Sequence, residues 1–297
     1  MEIRVHSDDE WSELIAHLRG LPRFLYYHNM GNAGDQLIYL GMCELFKRHG
    51  IEFDEFSEER FQTNKHVVYG GGGNFVGYYD NCSNFIETYF DLFDSFTLLP
   101  HTVSGHELLL SRLDDRFSLF CREPGSEAHC RKFIGETGHV FLTHDLAFCI
   151  EPHQWKRLRM PGVKFKKDLR WIREQWQLRR KLRGSDVTLF RTDLESARAE
   201  PGEGNYDLSM LIQAPLERRK YRELRVHPWR LGVANAFFSH VSHLRRVETD
   251  RLHVSISGAL SGRPTQLYGG SYYKNYAIFE HSMRDYYPNV EFVGPRR

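Results

Sequence analysis

Short apolar runs of strand length alternate with helical patterns along the first half of this chain, and that alternation limits the possible folds more than any other feature. Strands are expected at Arg23–Tyr27, His66–Tyr69, Ser95–Pro100, Phe117–Cys121 and His139–Thr143. A turn at Asn29–Gly34 leads into a helix at Asp35–His49, and Gly105–Leu113 and Gly125–Phe133 read as further helices. Strand followed by helix, repeated, implies a parallel doubly wound sheet covered on both faces. A second block repeats the theme. It has strands at Asp186–Phe190, Leu244–Val247 and Thr265–Tyr268, a helix around Trp229–His243 and another from His253. The 297 residues suffice for two cores. The expected fold class is therefore α/β, with two Rossmann-like parallel-sheet domains facing a cleft. The expected divisions are 1–154, a basic Trp-rich linker at 155–184, and 185–297.

Composition matters here mainly for what it excludes. A formal net charge of +1 gives no global pull toward nucleic acid. The N-terminal stretch Met1–Trp11 carries acids where a signal peptide needs an apolar core, and no uninterrupted apolar run is long enough to span a bilayer. A cytoplasmic protein is expected. The five cysteines are odd in number and never at Cys-x-x-Cys spacing, which points to reduced thiols rather than disulfides or structural zinc. Between Trp155 and Arg183, lysines and arginines are interleaved with Trp155, Phe165, Trp171, Ile172 and Trp176. Such a segment can lie on an anionic membrane surface, or pack its tryptophans as a solvated interdomain helix.

Ligands of open α/β sheets sit beyond the carboxyl ends of the strands, and the polar residues of this chain gather at those ends. Gly31-Asn32-Ala33-Gly34-Asp35 opens a helix, and Gly70–Gly73 with Asn74 follows a strand, removing side chains where a ligand could approach backbone. Neither is a nucleotide fingerprint. His28, His101 with Thr102, Arg122 with Glu123, His144 with Asp145, and Arg191 with Asp193 fall at expected strand ends. Arg251 and His253 stand where a strand gives way to a helix, so guanidinium, helix dipole and imidazole converge on one point. That combination suits acid catalysis on an anionic substrate, with Arg122 as a second, facing cation. Lys274 and Asn275 add a cationic contact at a helix start, or serve as a surface lysine and a cap.

The ordered set of motifs resembles the polysaccharide pyruvyl transferases, closest to the bacterial exopolysaccharide branch. The residues concerned are Gly31–Asp35, Gly70–Asn74, Pro100, Cys121-Arg122-Glu123 with Ser126, and His144-Asp145. They continue with Phe190–Asp193, Arg251-Leu252-His253, Gly262-Arg263-Pro264 and Ser271–Asn275. The resemblance implies a GT-B-like fold and transfer of pyruvate from phosphoenolpyruvate to a sugar as a ketal. It assigns donor binding to Arg122 and Arg251 and catalysis to His253. His101 departs from the glutamine of many relatives.

That chemistry needs cations and one acid. Phosphoenolpyruvate carries a carboxylate and a phosphate, and its C3 must accept a proton before C2 becomes electrophilic. Donor contacts are expected from Arg122, Arg251, Gly71, Gly72, Gly73, Asn74, Lys274 and Asn275, and acceptor contacts from Asn32, His101, His144 and Arg191. Asp35, Asp145 and Asp193 are equal candidates for the base that activates the sugar hydroxyl. No cofactor and no metal are expected; the partners are the donor, a sugar acceptor that could be lipid-linked, and an anionic membrane surface. A nucleotide-sugar glycosyltransferase and a non-catalytic glycan-binding protein of export machinery are the alternatives.

Overall fold

The structure, a computed structural model, describes residues 6–29, 31–155, 166–193, 196, 204–217 and 227–295. Contacts divide the chain into two compact units, one made of His6–Gly31 and Met42–Leu146, the other containing Asn32–Gly41 and Ala147–Arg297. These are not the divisions expected at 154 and 184. The start of the helix Asp35–His49 belongs with the C-terminal half of the chain, a long-range association that hydrophobic periodicity does not record.

The first unit is built on β1 (Phe24–Tyr27), β2 (Phe53–Glu55), β3 (His66–Tyr69), β4 (Gly72–Phe75), β5 (Ser95–Val103), β6 (Phe117–Cys121) and β7 (His139–Leu142). Their order is β2-β1-β3-β5-β6-β7, with β4 pairing β5, and every pairing is parallel. β6 is buried along its whole length, as a central parallel strand must be, and the core around it is dominated by phenylalanine and leucine. Because β1 pairs β2 on one side and β3 on the other, the direction of winding changes between β1 and β3. The crevice of such a sheet opens there, at the carboxyl ends of those strands.

One segment departs from expectation. Gly72–Phe75 is not a loop but the strand β4, registered Gly72 to His101 and Phe75 to Val103. β5 is nine residues long and extends beyond the end of β3, leaving an edge that the chain satisfies by resuming extended structure after Gly70 and Gly71.

The second unit carries β8 (Asp186–Thr188), β9 (Arg246–Thr249), β10 (Thr265–Gly269) and β11 (Val290–Pro295), a parallel sheet of order β11-β10-β9-β8. β9 starts two residues later than the sequence suggested, because His243 and Leu244 complete the turn that ends the preceding helix His227–Val241. The helix Leu252–Ser261 is buried at every residue. Its small side chains permit that, and the buried hydroxyls of Ser255, Ser257 and Ser261 donate to the carbonyls of Leu252, His253 and Ser257 at 2.6–2.8 Å. Gly262 ends it in the left-handed conformation at φ 70°, with the N–H of Arg263 donating to the carbonyl of Gly258. A helix fixed this firmly holds its first turn, and therefore His253, in place.

Candidate active site

In the second unit, the helix beginning at Asp35 is closed by a reciprocal cap. The Asn32 side chain accepts from the N–H of Gly34 at 2.8 Å, and the Asp35 carboxylate accepts from the N–H of Asn32 at 2.7 Å through Oδ2. Asn32, expected at the acceptor, thus has a structural task. The cap also orients Asp35, whose Oδ1 lies 3.7 Å from Nδ1 of His253, within ion-pair range. Gly34 makes room for this meeting: a β-carbon there would lie 3.0 Å from Nδ1 of His253.

Arg251 immediately precedes the helix of His253. Its Nη2 donates to Asp207 at 2.6 Å and to Asp193 at 3.1 Å, and Arg191 holds Asp193 from the other side at 2.6 Å. Asp207 also accepts from the backbone and hydroxyl of Thr192. Asp193 is therefore bound by two guanidinium groups, and Arg251 is a paired cation whose Nε, buried, has no hydrogen-bond partner among the described residues. The ammonium of Lys274 lies 4.9 Å from the ring centroid of Tyr272. Asn275 spends both amide hydrogens on the carbonyls of Asp250 and Tyr268, tying the end of β9 to β10. Its side-chain amide thus works as a joint between the two strands.

In the first unit, Arg122 is buried and fully engaged on one side. Nη1 donates to Asp145 at 2.7 Å and Nε to the Thr102 hydroxyl at 2.9 Å. Asp145 is 0% exposed, which makes it a fixed counter-charge. The glycines expected to admit a ligand are approached instead by the protein's own groups. Asn29 donates to the carbonyl of Gly71 at 3.0 Å, a β-carbon on Gly72 would lie 2.2 Å from that same amide, and one on Gly73 would lie 2.9 Å from Nη2 of Arg122. Asn74 donates to Asn29 at 2.9 Å, and its Oδ1 lies 2.8 Å from Nε2 of His101. Burial, reinforced by the charge of Arg122, holds the His101 imidazole well below its ordinary range, so this histidine is neutral at pH 7. Glu123 caps the helix Pro124–Phe133 through Ser126, and loss of hydration raises its carboxyl.

Arg122 and Arg251 belong to different units. His144, expected at the acceptor, lies 3.4 Å from Glu10 through Nε2. Sequence reasoning missed Asp207 and Asn29. Asp207 stands directly before the helix Leu208–Glu217 and reads locally as an ordinary cap; its ion pair with Arg251 spans forty-four positions. The cysteines described are free thiols, all buried but Cys43. Among the described residues, no helix is long and apolar enough to cross a membrane.

Two parallel sheets flanked by helices, of which the first reverses its winding between β1 and β3 and the second runs in consecutive strand order without the reversal expected of it, make this an α/β protein with a carboxylate–imidazole pair and ion-paired arginines. The family model described as polysaccharide pyruvyl transferase matches residues 32–268, and the chain belongs to this family of transferases. No curated protein matches the chain. A crystal structure of a functionally uncharacterized protein from Klebsiella pneumoniae subsp. pneumoniae NTUH-K2044 is similar in fold, with 23% identity and a TM-score of 0.74 over 96% of this chain and 98% of that one.

Proposed function

We propose that this transferase moves pyruvate from phosphoenolpyruvate to hydroxyls of a sugar in a polysaccharide or its precursor, closing a ketal. The observation that carries the reading is the meeting of His253, two positions after Arg251, with the capped carboxylate of Asp35. His253 as imidazolium donates its proton to C3 of the donor, while Asp35 fixes the orientation of the ring and balances its charge. C2 then takes the first sugar hydroxyl, the second hydroxyl displaces phosphate, and both hydroxyl protons leave to base or water.

Arg251, held by Asp193 and Asp207, offers its remaining N–H edge to the donor anion, and Lys274 adds positive charge. Arg122, held by Asp145, is the second donor contact in this scheme, and His101, neutral, serves as a hydrogen-bonding group. The GT-B-like pairing of the two sheets, a cytoplasmic location and peripheral attachment to an anionic membrane belong to the same proposal.

Purified protein incubated with phosphoenolpyruvate and oligosaccharide should release inorganic phosphate and yield a product with a new ketal methyl signal by NMR. Consumption of a nucleotide sugar, with phosphoenolpyruvate left intact, would replace this reading by a glycosyltransferase. Binding of glycan without turnover of either donor would make the protein a carrier.

A further inference from the structure

Two imidazoles and a carboxylate converge beyond the carboxyl end of β7 in the first unit, and the proposed reaction uses none of the three. One ligand atom from each of His6, Glu10 and His144 lies within 4.8 Å of the other two. The rings of His6 and His144 have centroids 4.4 Å apart, and both residues are more than nine-tenths buried. An ordinary ion pair with Glu10 needs only one imidazole. Protonating both would place two like charges side by side with little water to screen them. A divalent ion takes all three groups in their neutral-imidazole and carboxylate forms. The separation of 3.4 Å between His144 Nε2 and Glu10 Oε2 matches the edge of a tetrahedron, about 3.3 Å, generated by metal–ligand bonds near 2.0–2.1 Å.

The surroundings hold the ligands in place. The indole N–H of Trp11 donates to the carbonyl of His144 at 3.2 Å, and the hydroxyl of Thr143 donates to the carbonyl of Glu10 at 3.0 Å. The Trp11 ring stands against both histidines, at 5.7 and 6.0 Å between centroids, and gives the cluster an apolar wall. Partners that fix ligand backbones and a hydrophobic shell are what a metal centre needs beyond its first ligands. We propose that His6, Glu10 and His144 form a site for a zinc-class divalent ion, with a fourth position left for water. Two nitrogens and one oxygen suit zinc, cobalt or nickel, whereas calcium and magnesium want oxygen alone. The ion would fasten the segment at His6 to the carboxyl end of β7, one residue before Asp145, the partner of Arg122.

The test uses full-length protein without a histidine tag, stripped with a chelator and titrated with Zn²⁺ against a chromophoric indicator. One equivalent should bind, Co²⁺ in its place should give the visible absorption of a four- or five-coordinate ion, and Mg²⁺ should not compete. His6→Ala and Glu10→Gln should each weaken binding by more than about tenfold, since even an outer-shell partner is worth that much. His153→Ala, at an exposed histidine, should leave it unchanged. If His144→Ala does not fold, the rise in unfolding temperature caused by Zn²⁺ in the wild type and its loss in Glu10→Gln give the same answer. Absence of stoichiometric binding, or binding unaltered in His6→Ala and Glu10→Gln, overturns the site.

Discussion

His253 Nδ1 lies 3.7 Å from Asp35 Oδ1, and the two residues reach each other from helix starts more than two hundred positions apart in sequence. Each is fixed independently, Asp35 by the reciprocal cap with Asn32 and His253 by a helix buried on every side. His253→Gln should abolish turnover while leaving affinity for phosphoenolpyruvate within about tenfold, or 1.4 kcal/mol. Asp35→Asn should lower kcat without restoring it at any pH, and should leave the donor affinity similarly unaffected. Single-turnover phosphate release and calorimetric titration measure the two quantities. Normal turnover in His253→Gln would move the acid elsewhere.

Gly34→Ala probes that contact without removing either group. The added methyl would stand 3.0 Å from His253 Nδ1 and from Asn32 Oδ1, so the imidazole must shift by a few tenths of an ångström. Misplacement on this scale costs catalysis far more than stability. The variant should keep its unfolding midpoint within a few degrees and lose turnover at least tenfold. Equal losses of both would mean that the cap, not the catalytic pair, had been damaged.

Arg122 and Asp145 make a separate claim on stability. Both are almost completely buried and 2.7 Å apart, so Arg122→Ala strands a carboxylate without its counter-charge. Breaking a buried pair in this way costs about 3–5 kcal/mol. Urea unfolding of Arg122→Ala should show a loss of that order, with Arg122→Lys intermediate because an ammonium cannot serve both Asp145 and Thr102 in the same planar geometry. An unchanged midpoint would leave Arg122 a surface-like cation, contrary to its burial.

Local periodicity made much of the framework legible. His66–Tyr69, Phe117–Cys121 and Asp35–His49 are the spans that the hydrophobic pattern suggests. The edge strands Phe53–Glu55 and Val290–Pro295 escaped, since a strand at a sheet margin needs no continuous apolar run. In the site, residue types were readable but pairings were not. Arg251 and Asp193 were visible as strand-end polar groups, yet their mutual neutralisation depends on contacts fifty-eight positions apart. The glycines of Gly70–Gly73 signalled close approach, and what approaches is Asn29, Tyr26 and Arg122. Sequence cannot distinguish a side chain of the protein from a ligand there.

The pH dependence of stability should follow the buried histidines. His240, which faces Gln175, is held down to about 3 by loss of hydration, with Arg179 and His243 adding like-charge repulsion. Its folded value lies below the unfolded value of about 6.5, so the unfolded chain binds the proton more readily. The stabilisation is complete above pH 6.5 and declines as pH falls toward 3, at up to about 1.4 kcal/mol per pH unit for this one group. His101 and His17 shift in the same direction. Unfolding free energies should therefore drop between pH 7 and pH 5, and His240→Gln should flatten that slope. A slope unaltered by the substitution would assign the acid sensitivity to other groups.

The helix Lys166–Leu182 has one buried and one exposed face; Phe165 and the rest of 156–165 lie outside the described residues. Trp171 is buried, donates to the carbonyl of Ile212 and meets Trp229, so it serves packing. Leu169, Arg173, Trp176 and Arg180 follow helical spacing on the opposite face, with Leu169 55% and Trp176 49% exposed. Met210 and Leu211, on the neighbouring helix Leu208–Glu217, are also exposed. Cations around exposed apolar side chains suit an anionic bilayer, each arginine near the surface adding about 1 kcal/mol. Vesicles containing anionic lipid should carry the protein upward in a flotation assay, neutral vesicles should not, and binding should fall as salt shortens the screening length to about 8 Å at physiological ionic strength and below. Trp176→Ala should weaken the association without affecting the unfolding midpoint, because its ring is not part of the core. No flotation at low salt would reduce this face to a solvated surface, and loss of folding in Trp176→Ala would show that the indole is packed after all.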